Sequence, residues 1–230
     1  MRCMRIIFSI ILLFAALIVS AVPLFQRRHI NSETAKVVEK FLLLPEKAEI
    51  PYAELYAAVL DYNDALVGQQ NSLLTDPWSY EQTSFNLIDY GIEDGVFGIL
   101  AIPAIDLSMP VYLGATEENM AKGAAHLSNT SLPIGGMGTN SVIAGHRGYS
   151  GADYFRHLDK LGIGDEVFLT NLWGTLHYRV AEIKIIEPSD IKQIYVQNGR
   201  DLLTLLTCHP YASGGKQRLV IYCERASENM

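Results

Sequence analysis

The sequence has little cysteine and little positive charge. Its three cysteines stand in no metal-ligand spacing, which argues against a zinc site. The formal net charge is -7 and no basic patch is interleaved with aromatic residues, so we expect no nucleic-acid partner. Internal repeats and low-complexity tracts are absent as well. A chain of 230 residues can bury a sizeable core, and it fits one domain with appendages.

A long uncharged run does occur at the amino end. Twenty residues, Ile6 to Phe25, carry no charge and have arginines on both sides. As a helix they would span about 30 Å, the thickness of the bilayer hydrocarbon. We interpret residues 1–28 as a membrane anchor; a signal peptide cleaved near Val19-Ser20-Ala21 is the alternative. The flanking charges do not decide the orientation, but such a segment favours export of the folded region after it.

Residues 29–89 are predicted to form helices and a loop. The helices are Ser32–Leu44 and Pro51–Val67, and the second has an apolar stripe that we expect to pack against the following domain. The polar stretch after it contains Asp76-Pro77-Trp78. A Trp in a polar loop either caps a surface patch or covers another site.

Residues 90–230 have the pattern of short strands separated by turns. Seven strands are predicted: Gly95–Ile102, Met109–Leu113, Ser141–Ala144, Asp165–Asn171, Leu176–Glu187, Leu202–Thr207 and Gln217–Glu224. Brief helical pieces are predicted at Thr116–Gly123 and Ala152–Leu161. Closely spaced strands with few helices predict a mostly β fold, a small closed or half-closed barrel.

The last two strands carry the first candidate for chemistry. Pro210 cannot continue a ladder, so Cys208 should lie at the carboxyl-terminal lip of its strand. The turn through Gly214-Gly215 would bring it close to Arg218, which opens the next strand. A cation beside a thiol favours the reactive thiolate. Cys208 is therefore a candidate nucleophile with Arg218 beside it, and Lys216 is the rival cation.

Cys208 also has two structural interpretations. A Cys after an apolar strand is often a small core residue. A disulfide with Cys223 is the other. If Cys208 lies opposite Arg218, Cys223 is five residues further along, roughly 17 Å away and beyond the ~7 Å that a disulfide allows. We predict that Cys223 is a core residue.

A second candidate lies in Ala144-Gly145-His146-Arg147-Gly148. A strand ends at Gly145, so the imidazole of His146 is expected at the exposed rim. His209 fits less well, because adjacent strand residues point to opposite faces and Cys208 is its neighbour. With a Cys and an Arg at the same rim, His146 is the candidate acid and base.

These residues resemble the sortase family. Thr204-Leu205-Leu206-Thr207-Cys208 matches the TLxTC motif, and His146 and Arg218 match the family's His and Arg. The likeness continues through Ile102-Pro103, Thr130 to Gly136 and Ala144 to Gly148, and covers roughly residues 95 to 225.

The resemblance implies a closed eight-stranded β barrel and a cysteine transpeptidase without metal or cofactor. Cys208 would attack a carbonyl of an LPxTG-type sorting signal, and His146 would protonate the leaving amine and then deprotonate the incoming one. Arg218 would bind the substrate carbonyl or the oxyanion. Thr207 and His209, on either side of the nucleophile, are expected to contact substrate.

Asp76-Pro77-Trp78 resembles the lid of class C, the pilin-polymerising sortases. There the Asp lies toward the catalytic Arg and the aromatic ring lies over the Cys. Class C would make the partners pilin subunits and the acceptor a pilin lysine, on a Gram-positive cell membrane with the catalytic domain outside. Class C members commonly carry a second hydrophobic segment, which this sequence does not show, and the turn before Arg218 is closer to other classes. A wall-anchoring sortase, which uses a peptidoglycan-precursor amine, is the alternative.

Two interpretations fall outside the family. A papain-like peptidase places its Cys before its His, whereas here His146 precedes Cys208. A non-enzymatic, anchored β-barrel adhesin would have an inert and buried Cys208.

Overall fold

The computed structural model describes residues 2–44, 52–69, 85–149 and 151–226. Eight strands close into one barrel, in the order β1-β2-β3-β4-β7-β8-β6-β5. The strands are β1 Val96–Ile102, β2 Leu107–Leu113, β3 Ala124–His126, β4 Thr139–Ala144, β5 Glu166–Asn171, β6 Gly174–Ile186, β7 Asp201–His209 and β8 Gln217–Arg225. The pairs β2/β3 and β4/β7 are parallel and the others are antiparallel. The predicted closed barrel is confirmed.

The alternating apolar residues of the strands fill the barrel. Leu203, Leu205 and Ile221 are fully buried in it, and so is Cys223. Cys223 lies opposite Leu203 and burial raises the pKa of its thiol, so the prediction of a core cysteine is confirmed.

In the part of the chain that the structure describes, three α-helices accompany the barrel: α1 Arg2–Leu42, α2 Tyr52–Gln69 and α3 Glu117–Lys122. The predicted amino-terminal span and the helix expected after it form one continuous α1, which is long and apolar enough to cross a membrane. In α2, Leu55 and Val59 are fully buried in one cluster with Phe41 and Phe97. These two residues of the predicted apolar stripe pack against the domain as expected, whereas its Tyr56 and Leu60 are exposed.

The brief helical piece predicted at Ala152–Leu161 is confirmed only in part. Turns occupy the segment up to His157, and one short 3-10 helix, Leu158–Lys160, follows. The amide of Phe155 donates to the carbonyl of His146, and its ring packs so closely that a Cβ at Gly145 would lie 2.8 Å from it. Tertiary packing under the end of β4 therefore replaces the hydrogen bonds of a helix.

The eighth strand, β3, was not among the seven predicted from the residue pattern. It is only three residues long, too short for periodicity to reveal, and it pairs with β2 and β4. Asp76, Pro77 and Trp78 lie outside the described residues.

Candidate active site

The parallel pairing of β4 and β7 brings His146 and Cys208 to the same edge of the barrel. Ala144 lies opposite Leu206, and His146 and Cys208 each follow two residues later. The amide of Gly145 donates to the carbonyl of Leu206 at 3.1 Å. The two half-buried side chains therefore lie on one rim.

The thiol and the guanidinium are in direct contact. Cys208 lies opposite Arg218 in the β7/β8 ladder, and Nη1 of Arg218 donates to Cys208 Sγ at 3.7 Å. The same nitrogen donates to the carbonyl of Gly215 at 2.7 Å. Because Arg218 is only 6% exposed, its charge is held under the rim next to the sulfur, where it favours the thiolate. Lys216 is exposed in the turn.

His146 is held by an aromatic neighbour. Its ring stacks on that of Tyr149, with centroids 4.6 Å apart and planes 14° apart. Burial lowers the pKa of His146 below its ordinary value, because desolvation disfavours the imidazolium. A ring that is readily neutral and partly open to solvent can exchange protons with a bound group.

The two residues predicted to contact substrate differ in surroundings. Thr207 is fully buried and its hydroxyl donates to the carbonyl of Gly145 at 2.7 Å, so its contact is with the end of β4 rather than with open surface. His209 is partly exposed, but Nδ1 of its ring lies 2.7 Å from Nη1 of Arg147.

Arg147 and Tyr149 are the neighbours that the sequence did not single out. Arg147 is 7% exposed and pairs with Asp159 at 2.7 Å. Nothing in a lone Arg after a His predicts burial, because arginine is mostly exposed in proteins. The one available signal was its place inside the motif around His146.

Two further features of the described residues bear on function. No group of three or more His, Cys, Asp or Glu side chains that could hold a metal occurs in the described part of the chain. A cavity of about 740 Å³ lies between α1 and the barrel, lined in part by Val38, Leu107 and Met109. None of the three rim residues lines it.

Comparison with known proteins gives a consistent result. A family model described as the sortase domain matches residues 100–226. Sortase D of Bacillus subtilis is 30% identical over 132 residues, which are 56% of this chain and 64% of that protein. Sortase A of Listeria monocytogenes is 31% identical over 117 residues, 50% of each chain. The chain thus spans between half and two thirds of these curated relatives.

Solved structures match a larger part of the chain. Sortase C1 of Streptococcus agalactiae has a TM-score of 0.73 and 32% identity, covering 81% of this chain and 96% of that one. Sortase C-1 of Streptococcus pneumoniae has a TM-score of 0.73 and 31% identity, with 84% and 99% covered. These matches extend beyond the barrel, and the family model alone covers more than half of the chain. The chain belongs to the sortase family of cysteine transpeptidases, and the fold that it shares with these solved structures is that of sortase C.

Proposed function

We propose that the protein is a membrane-anchored class C sortase that cleaves an LPxTG-type sorting signal and transfers the acyl group to a pilin lysine. The contact between Cys208 Sγ and the buried guanidinium of Arg218 carries this proposal. A thiol held against a fixed cation at an open strand end is arranged for nucleophilic attack. An adhesin would not need a half-exposed thiol in this position.

The reaction follows from three side chains. The thiolate of Cys208 attacks the scissile carbonyl carbon, and Arg218 stabilises the oxyanion that forms. His146, as imidazolium, gives its proton to the leaving amine when the C–N bond breaks, which leaves a thioester on Cys208. The neutral ring then accepts a proton from the incoming amine, which attacks the thioester and releases the thiolate.

The direct test is incubation of the full chain in detergent with an LPxTG-type peptide, followed by mass spectrometry. We expect a thioacyl adduct on Cys208 that disappears when an acceptor amine is added. Cys208→Ala is the matched control and should show no adduct. If the parent chain forms none, the transpeptidase proposal fails.

The acceptor decides the class. A peptide that carries the lysine of a pilin acceptor segment should resolve the thioester faster than a peptidoglycan-precursor amine. Several similar solved structures are described in terms of pili or pilins, among them a pilus-related sortase C and a pilus island sortase C. Faster resolution by the precursor amine would instead support a wall-anchoring sortase.

The role of the anchor is part of the proposal. The apolar α1 supports retention in the membrane, with the barrel outside the cell. The mass of the protein purified from membranes tests this, because a cleaved signal peptide would shorten the chain. Loss of roughly the first twenty residues would exclude the anchor.

We also propose that Asp76, Pro77 and Trp78 form a lid, on the strength of the sequence resemblance. Asp76 would pair with Arg218, and Trp78 would cover Cys208. The double variant Asp76→Ala with Trp78→Ala should then react faster with a small alkylating reagent at Cys208. An unchanged labelling rate would show that these residues do not guard the thiol.

A further inference from the structure

The residue after His146 is buried in an unusual way. Arg147 has a side chain that is only 5% exposed, and it lies under the rim. Its Nε is buried and has no hydrogen-bond partner among the described residues. A buried polar atom without a partner costs stability, and an ion pair with a half-exposed carboxylate such as that of Asp159 contributes little. Stability alone is therefore a poor explanation for an arginine at this position.

The guanidinium joins three separate pieces of chain. Its Nη2 pairs with Asp159 Oδ2 at 2.7 Å, in the 3-10 helix Leu158–Lys160. Its Nη1 lies 2.7 Å from Nδ1 of His209 and donates to the carbonyl of Cys208 at 3.4 Å. The residue that follows His146 is thus bonded to the backbone of Cys208 itself. The planar fork of arginine suits such contacts, since its donors hold fixed directions.

The contact also fixes the tautomer of His209. A guanidinium has donors and no acceptor, so Nδ1 of His209 must accept the hydrogen bond. The ring proton then lies on Nε2. His209 therefore has its Nδ1 occupied by Arg147, whereas the ring of His146 is stacked at the rim.

We propose that Arg147 is a positioning residue, whose guanidinium holds the segment after β4 against Cys208 and so fixes the placement of His146 relative to the thiol. The kinetic part of this inference rests on the proposed transpeptidase function. Misplacement of a reacting group by about 1 Å can cost roughly a hundredfold in rate, so a residue that never touches substrate can still control turnover.

The principal variant is Arg147→Met combined with Asp159→Asn, in the full chain in detergent. It removes both charges of the pair and leaves no buried ion without a partner. We expect kcat for thioacyl formation to fall about a hundredfold with KM nearly unchanged. Thermal unfolding should shift little. Arg147→Lys keeps the charge without the fork and should recover part of the lost kcat.

Arg156→Met is the matched control. Arg156 follows His146 on the same segment, but it is exposed and its guanidinium lies over the ring of Tyr211, 4.6 Å from the centroid. Because it contacts Tyr211 and Asp153 instead of the thiol residue, its loss should leave kcat as in the parent. Equal losses in the Arg147 and Arg156 variants would overturn the positioning role.

Nitrogen NMR of the imidazoles gives a readout that needs no turnover. In the parent, His209 should appear as the Nε2–H tautomer, and in Arg147→Met the signals of both His209 and His146 should change. A parent His209 protonated on Nδ1, or unchanged spectra in the variant, would overturn the inference whether or not the chain is active. So would a kcat loss that merely follows a loss of folded protein. If the parent shows the expected tautomer but forms no thioester, the proposed function is refuted. The positioning role of Arg147 is then judged by whether the NMR signals of His209 and His146 change in Arg147→Met.

Discussion

Two polar regions carry the resemblance of this sequence to the sortases, and their side chains differ in solvent exposure. The first is the closing loop, residues 127–136, together with His126 before it. The second is the rim site, made of His146, Cys208 and Arg218. In the closing loop Thr130 and Ser131 are 1% exposed, whereas His146 and Cys208 are half-buried. Both regions hold hydroxyl, imidazole or charged groups, so residue type alone does not distinguish them.

The hydrogen bonds explain the difference. In the closing loop the polar groups bond to one another and to the backbone: Asn63 of α2 exchanges two bonds with Leu132, and His126 Nε2 lies 3.0 Å from the carbonyl of Ser131. At the rim the thiol contacts Arg218 and the imidazole stacks on Tyr149, and both His146 and Cys208 remain half-buried. Polar groups that are buried and hydrogen-bonded to the protein are typical of a structural role. Half-exposed reactive groups at strand ends are typical of a catalytic role.

The largest expected effects come from comparing one variant of each region in both activity and stability. Cys208→Ala should abolish transpeptidation and leave the unfolding temperature close to that of the parent, because a half-exposed thiol contributes little packing. Asn63→Ala should do the reverse. It leaves the buried amide and carbonyl of Leu132 without their partner, which costs about 1–3 kcal/mol of stability for each group, whereas turnover per folded molecule should persist. Peptide turnover and thermal unfolding measure the two effects. A large loss of stability in Cys208→Ala would contradict the comparison.

The two histidines near the thiol provide the next test. His146→Ala should abolish turnover, whereas His209→Ala should retain a substantial fraction, because Nδ1 of His209 is occupied by Arg147. Single-turnover measurements with an LPxTG-type peptide are suitable. Equal losses in both variants would mean that the acid has been wrongly assigned.

Variants of the two cations near the β7/β8 turn, Arg218 and Lys216, should lose less activity than those of Cys208 and His146. Arg218→Lys should lose most of the activity, since removal of one oxyanion donor costs on the order of 3 kcal/mol, or roughly a hundredfold. Lys216→Ala should cost far less, because Lys216 is exposed and Arg218 contacts the sulfur. If Lys216→Ala is the more damaging change in kcat/KM, the cation must be reassigned.

The adjacent glycines of the same turn offer a finer comparison. Gly214 and Gly215 have positive φ angles of 71° and 77°, so alanine is strained at both. At Gly215 a Cβ would lie 3.0 Å from Arg218 Nη1 and 3.3 Å from Cys208 Sγ, whereas at Gly214 nothing lies within 4 Å. We expect both variants to lose similar stability and only Gly215→Ala to lose activity. Equal activities of Gly214→Ala and Gly215→Ala would show that the close contact of residue 215 with the sulfur of Cys208 does not affect catalysis.

The sequence predicted the features that repeat along the chain or stand in motifs. Strand alternation indicated the barrel, and the proline after Cys208 indicated the position of the thiol. The sequence did not predict β3, which is too short to show a period. It predicted only the Leu158–Lys160 part of residues 152–161 correctly, because packing of Phe155 under Gly145 replaces a helix before that point. The role of Arg147 was equally hidden, because three distant pieces of chain meet only in the folded barrel.

The last prediction concerns His126, whose effect on turnover at neutral pH should be the smallest. Burial lowers the pKa of His126 to about 4, against an ordinary value of 6.5. The unfolded chain therefore binds a proton at this residue between these values while the folded chain does not. Its contribution to stability is fully present above pH 6.5, falls as the pH drops, and is lost by pH 4, a decrease of about 3 kcal/mol. Carboxylates titrate in the same range, so the measurement is the difference in unfolding free energy between the parent and His126→Gln, whose amide can still donate to Ser131. This difference should shift in favour of the variant on acidification from pH 7 to pH 4. Parallel curves for the two proteins would show that His126 titrates normally, and that the closing loop is more open than its hydrogen bonds indicate.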